Sequence, residues 1–298
     1  SLGAGDRRWN LTVLTGYEHD SNVPLLPHIT GLGSGSGRDD SRWQIGMQGD
    51  YRLRSEGDFN WGVFGSTFNT FQFELHQFDV QNYGGGSYAS TRLGDWFVSG
   101  NYQFNETLLD SRQFATDHRM NLAGTHAVGD IGPATVYYEY EIIDLDAQAL
   151  IPAQFRSATV HSIGFTQALT LGEDNPLGVF VGYRFDEADA HGSDFDMQSH
   201  MVSTRVAYAL ADDILVDAEF RHFWDDYEHA NSLDFFERPR SDERLELRVG
   251  LQKLLNDHTR LRLDYSYIDS DSNVRNLFDV GFYSYRRHVV STQVIYDF

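Results

Sequence analysis

The chain has 298 residues, 41% of them hydrophobic and 14% aromatic, with no cysteine and a formal net charge of −21. So many aromatic rings exclude an unfolded chain, the absence of thiols excludes a disulfide scaffold or thiolate site, and the acidic balance excludes a nucleic-acid partner, whose phosphates it would repel. No run approaches the roughly 18 apolar residues that a spanning helix requires. Ser1 opens the chain without a basic and then apolar leader pattern, so a mature chain, or a domain of a longer one, is expected.

Period-2 alternation of apolar and polar residues runs through almost the whole sequence and predicts strands. In chain order these are 8–18, 41–54, 60–73, 80–93, 95–107, 116–128, 133–143, 157–170, 177–186, 197–210, 213–225, 243–254, 258–269 and 287–298. The alternation is mixed around Phe64, Phe68 and Phe71, and Gly84-Gly85-Gly86 interrupts the fourth strand. It is plain in Leu261, Leu263, Tyr265 and Tyr267, interleaved with Arg260, Arg262, Asp264 and Ser266. Short turns follow the even strands, as at Ser55-Glu56-Gly57-Asp58, Leu93-Gly94-Asp95 and Gly172-Glu173-Asp174-Asn175-Pro176. Longer stretches follow most odd strands, as at 19–40, 144–156, 187–196, 226–242 and 270–286, with 74–79 a short exception. A single domain over 1–298 is expected.

Three properties point to an all-β transmembrane barrel with apolar residues outside and polar residues inside. The polar face carries full charges in mid-strand, the strand number is even, and the strands are about 10 residues or longer, where soluble sheets favour ~5–6. The expected fold is a 14-stranded antiparallel up-and-down barrel in a bacterial outer membrane. Its lumen would be lined by Asp50, Arg52, Glu139, Glu141, Arg184, Arg205, Asp217, Glu219, Arg221, Glu246, Arg248, Arg260, Arg262 and Asp264. Interleaved signs predict cross-lumen and cross-strand ion pairs. Acidic long loops predict a mildly cation-selective mouth.

Aromatic residues gather at both ends of the apolar face. Trp9, Tyr51, Trp96, Tyr208, Tyr296 and Phe298 sit at the short-turn end, and Tyr17, Trp43, Tyr102, Phe104, Tyr140, Tyr183, Phe185, Trp224 and Tyr267 at the long-loop end. Such belts mark headgroup depth. His118, His161, His200, His222 and His288 share the lipid-facing parity near the long-loop end. They predict interfacial rings or contacts, helped by Arg286, to lipopolysaccharide phosphates.

The last strand, with Val290, Thr292, Val294, Tyr296 and a terminal Phe298, resembles the C-terminal assembly signal of bacterial outer-membrane proteins. Gly16-Tyr17-Glu18-His19-Asp20-Ser21-Asn22-Val23 and Asp269-Ser270-Asp271-Ser272-Asn273-Val274 resemble the first and last loops of barrels linked to tetratricopeptide repeats. These are of the surface lipoprotein assembly modifier or polysaccharide-exporter type; Leu93-Gly94-Asp95-Trp96 resembles them too. The resemblance implies lipid and lipopolysaccharide surroundings, the barrel-assembly machinery, and a periplasmic repeat domain or surface protein as partners.

Gly31-x-Gly33-x-Gly35-x-Gly37 lacks the lysine and strand-to-helix setting of a phosphate loop, and reads as a loop tip. Asp269-x-Asp271-x-Asn273 begins like a calcium loop, but Val274 and Val280 stand where glycine and glutamate are needed. No HExxH motif occurs, and no cofactor or metal is expected. His161-Ser162, His200 with Ser203, and His288 with Ser291 point to opposite faces of their strands, so no enzyme is expected. The reading is a polar channel for transport or translocation. A non-conducting anchor or docking barrel is the alternative, and an enzyme at the rim ranks third.

Overall fold

The structure is a computed structural model that describes residues 8–25, 39–146, 151–172, 177–235, 237–274 and 283–298. The glycine-rich 31–37 stretch, the turn at 173–176 and Val280 lie outside these residues. Fourteen antiparallel strands close into one barrel, each paired with its neighbours in sequence and the first with the last. They are β1 (Trp9–Asp20), β2 (Asp40–Glu56), β3 (Phe59–Gln72), β4 (Val80–Leu93), β5 (Trp96–Leu109), β6 (Arg112–Val128) and β7 (Gly132–Leu145). The second half comprises β8 (Ala158–Leu171), β9 (Leu177–Ala190), β10 (Met197–Ala211), β11 (Ile214–Ala230), β12 (Pro239–Leu254), β13 (Thr259–Ser272) and β14 (Tyr285–Asp297). Single 3-10 turns lie at His76–Phe78, Pro152–Gln154 and Ser232–Asp234, all in connections that follow odd strands.

Burial is inverted relative to a soluble protein. Among the described residues the buried hydrophobic ones are Ala188 and Val274, whereas Glu18, Asp20, Gln44, Glu141, Asp217, Arg240, Asp242 and Asp264 are all buried. Trp43, Ile45, Leu122, Ile163, Val249 and Phe298 are exposed on the outer wall. In hydrocarbon this arrangement costs nothing, and closure leaves no unpaired strand edge. Tyr296 lies opposite Val13 and Asp297 opposite Thr12, and the Phe298 amide donates to Leu11 O at 2.9 Å.

Two boundaries differ from the sequence reading for physical reasons. The sequence reading leaves residues 108–115 between β5 and β6, whereas the strands run to Leu109 and from Arg112, and Asp110 and Ser111 form a tight turn with φ of 49° and 61°. Two left-handed residues match the twist of a hairpin, and a bulge at Thr107/Leu108 restores the register. Strands β11 and β12 extend to Ala230 and back to Pro239. Beyond the hydrocarbon neither face has to be apolar, so the alternation fades where the strands continue.

Candidate functional site: the charged lumen wall

Side chains two apart on a strand share a face. Opposite signs at that spacing let an arginine lie along the wall and reach its own strand's carboxylate. Arg262 Nε donates to Asp264 Oδ2 at 2.8 Å, Arg221 Nη2 lies 2.7 Å from Glu219 Oε1, and Arg184 Nε donates to Asp186 Oδ1 at 2.5 Å. Neighbouring strands extend these pairs. Arg248 Nε donates to Asp264 Oδ1 at 3.0 Å, Arg205 lies 3.8 Å from Asp217, and Arg221 3.9 Å from Glu246. Arg260 lies 2.9 Å from Asp297. Asp50 accepts from Asn10 at 3.0 Å, and the Arg52 amide donates to Arg8 O at 2.6 Å.

A recurring device joins strands that are not neighbours. Gly250 on β12 lies opposite both Asp217 and Asp264. Without a side chain there, Arg262 reaches across β12 to Asp217 at 3.1 Å. On β8, Gly164 lies between Tyr137 and Arg184, and the Tyr137 ring occupies the space a Cβ would take. One step along, Arg184 donates to Ser162 at 3.0 Å and lies 3.6 Å from Glu139. On β1, Gly16 lies between Gln44 and Gln293, whose amides meet at 3.1 Å. Glycine at a lumen position thus permits large polar groups to lie flat against the wall.

The expected cross-lumen pairs are corrected: among the described residues, the ion pairs run along the wall. At a strand spacing of ~4.8 Å and a tilt of ~40°, fourteen strands enclose a circle roughly 27 Å across, beyond the reach of two facing side chains. Sequence reasoning missed Arg119, which lies 2.5 Å from Glu141 and 3.9 Å from Glu139. It also missed Arg42 with Glu18, Arg287 with Asp20, and Arg240 with Asp242. Their polar-face parity was the available signal. The wall formed by β3, β4 and β5 is different: Ser66, Thr70, Asn82, Gln103 and Asn105 line it with Phe64 and Tyr88, and the charge on this face is that of Arg92 beside the short turn. Toward the long loops, the Arg240 guanidinium lies between the rings of Tyr227 (4.4 Å) and Tyr283 (3.3 Å). A cavity of about 350 Å³ opens there, lined also by Arg156, Asp225 and Arg244.

On the outer wall, four of the five predicted histidines share one geometry. Tyr102, Tyr138, Tyr183 and Tyr265 meet Nδ1 of His118, His161, His200 and His288 at 2.7–2.9 Å. Each imidazole also packs on a second ring, from Phe104, Tyr140, Phe185 or Tyr267, with centroids 4.9–5.2 Å apart. His222 instead stacks on Trp224 at 4.2 Å and points Nε2 at Glu243, 2.8 Å away. Val290, Thr292, Val294, Tyr296 and Phe298 lie on the outer face of β14 and at its end.

No protein-family model and no curated protein matches the sequence. Solved structures do. OmpT, an outer membrane protein of Vibrio cholerae, is similar with a TM-score of 0.53 at 11% identity, covering 98% of this chain and 99% of that one. The anion-selective porin from Comamonas acidovorans is similar with a TM-score of 0.50 at 8% identity, covering 97% and 98%. At such identities the shared property is the fold. The chain shares the closed antiparallel barrel fold of these bacterial outer-membrane proteins.

The exclusion of an enzyme is corrected. It rested on spacing within single strands, and register builds pairs that such spacing cannot display. Ser41 Oγ lies 3.1 Å from His19 Nδ1 on the neighbouring strand and receives the Tyr17 hydroxyl at 2.7 Å. The likeness to OmpT, at 10–11% identity, does not restore the exclusion, because one fold hosts unrelated activities.

Proposed function

We propose that the barrel is a channel through which small polar solutes cross the outer membrane. The observation that supports this best is the glycine-seated pairing: Arg262, Tyr137 and the Gln44–Gln293 amides lie along the wall instead of filling the centre. The lumen would offer a solute two surfaces, a mainly amide, hydroxyl and aromatic wall on β3–β5 and a charge-laced wall on the remaining strands. Net charge of −21 supports a mild preference for cations, weakening as salt rises because the Debye length is ~8 Å at physiological strength. The Comamonas neighbour is anion-selective by title, so selectivity would differ while the fold is shared.

The opening and closing strings that resemble tetratricopeptide-repeat-linked barrels lie at one rim on either side of β14, to which the opening string is held by Ser21 N donating to His288 O at 2.9 Å and Asn22 Nδ2 to Arg286 O at 3.1 Å. Trp9 at the start of β1 and Phe298 after β14 lie on the opposite, short-turn side, where a periplasmic domain or partner would attach. Planar-bilayer recording of the folded barrel tests the reading. Discrete conductance steps with a reversal potential toward the cation are expected. An anion preference would defeat the selectivity, and a silent bilayer with correctly folded protein would favour the anchor.

A further inference from the structure

The four tyrosine–histidine pairs recur at regular register. His118 lies opposite Ile142, and Ile142 opposite Thr159; His161 is two residues from Thr159 toward the short-turn end. His161 lies opposite Glu187, and Glu187 opposite Gln198; His200 is again two residues beyond. From His200 the row passes through Trp224 to Glu243, and two residues on stands Leu245. From Leu245 it passes through Asp269 to Arg286, and two residues on stands His288. The hydrogen-bonded rows climb toward the long loops in this direction. A step back of one residue, ~3.3 Å, per strand spacing of ~4.8 Å corresponds to a tilt of about 35°, that of a membrane barrel. The step cancels the climb, so the imidazoles lie on one ring parallel to the membrane. Tyr17 and Ser41 continue it on β1 and β2 with a 2.7 Å hydrogen bond.

In each pair Nδ1 is occupied by the tyrosine hydroxyl, and two aromatic rings have centroids within 6.2 Å of the imidazole. With the hydroxyl donating, the proton sits on Nε2. Among the described residues Nε2 of these four histidines meets no hydrogen-bond partner. A fixed donor at the edge of hydrocarbon is costly unless a headgroup accepts from it. Glu106, Glu187, Glu243 and Asp269 take the next outward-facing positions toward the loops, and Arg286 lies 3.2 Å from Asp269. A phosphate beside those carboxylates requires a divalent cation between them, which hard oxygen ligands of both kinds suit.

We infer that this ring binds the phosphorylated headgroup of outer-leaflet lipid, each Nε2–H donating to a phosphate oxygen. The inference is independent of conduction through the lumen. It is tested by replacing all four histidines with phenylalanine, which keeps the ring contacts and removes the donors. Wild-type and His118→Phe/His161→Phe/His200→Phe/His288→Phe barrels, folded in detergent with magnesium present, are incubated with lipopolysaccharide and the retained lipid is counted after gel filtration. The variant is expected to retain about tenfold less, equivalent to ~1.4 kcal/mol. Enzymatically dephosphorylated lipopolysaccharide is expected to bind both proteins alike, and millimolar inorganic phosphate to displace nothing. Equal retention of the phosphorylated lipid by both proteins would overturn the inference, and displacement by inorganic phosphate would assign the ring to a soluble anion instead. Should the variant not fold, the imidazole ¹⁵N resonances of the wild-type barrel decide. Nε2 must shift with phosphorylated and not with dephosphorylated lipid, and an unmoved Nε2 signal refutes the ring.

Discussion

At the scale of single residues, the glycines of the lumen act through what they leave vacant. A side chain at position 164 would meet the Tyr137 ring and drive it off the wall. Gly164→Val is therefore expected to lower single-channel conductance, and the added change Tyr137→Ala to restore it, measured in planar bilayers. Ion pairs differ by their surroundings. Asp217, with its side chain 5% exposed, holds Arg262, which is 13% exposed. Asp217→Ala would leave Arg262 with Asp264 alone, and is expected to cost about 1–3 kcal/mol in urea unfolding from micelles. Arg54 and Glu56 form a pair in open solvent at the short-turn rim, and Glu56→Gln is expected to leave the same transition unmoved.

At the scale of the element, β14 has two edges to satisfy and an outer face to present. It pairs with β13 and β1, and its exposed Val290, Val294 and Tyr296 face the membrane. Phe298 is held to Leu11 by one backbone bond, which micelle-folded protein can forgo. Deleting Phe298 is expected to reduce insertion into the outer membrane of cells while leaving refolding in detergent intact. Heat-modifiable electrophoretic mobility reads both, and normal insertion in cells would count against an assembly signal. The β5–β6 hairpin illustrates how an element can escape sequence reading: Asp110 and Ser111 adopt the left-handed conformation without glycine. Aspartate and serine are common turn residues, but a two-residue hairpin with both in the left-handed region ordinarily takes a glycine, so their type alone does not announce a turn that short.

At the scale of the whole molecule, an even number of strands brings the start of β1 and the end of β14 to the short-turn side, and the proposed function puts that side in the periplasm. The absence of cysteine makes the orientation measurable. A cysteine introduced at Phe235, which is 76% exposed in a long connection, should react with an impermeant maleimide on intact cells. One at Asp95, in the short turn after β4, should react only after the membrane is opened. The reverse pattern would invert the barrel.

By itself, the sequence determined the strand number, the inward and outward faces and the inversion of polarity, because a period of two is a local property and hydrocarbon tolerates few exceptions to it. Those same constraints made Arg262, Asp264 and Asp217 legible as inward-facing residues. Only the tertiary structure decided which of them meet. Arg262 reaches Asp217 because Gly250 stands between them, and His118 meets Tyr102 because neighbouring strands pair in one register. Register arises from strands far apart in sequence adding their offsets around a closed circle, so no single strand carries it. The same closure sets the diameter, and the diameter turned the expected cross-lumen pairs into pairs along the wall.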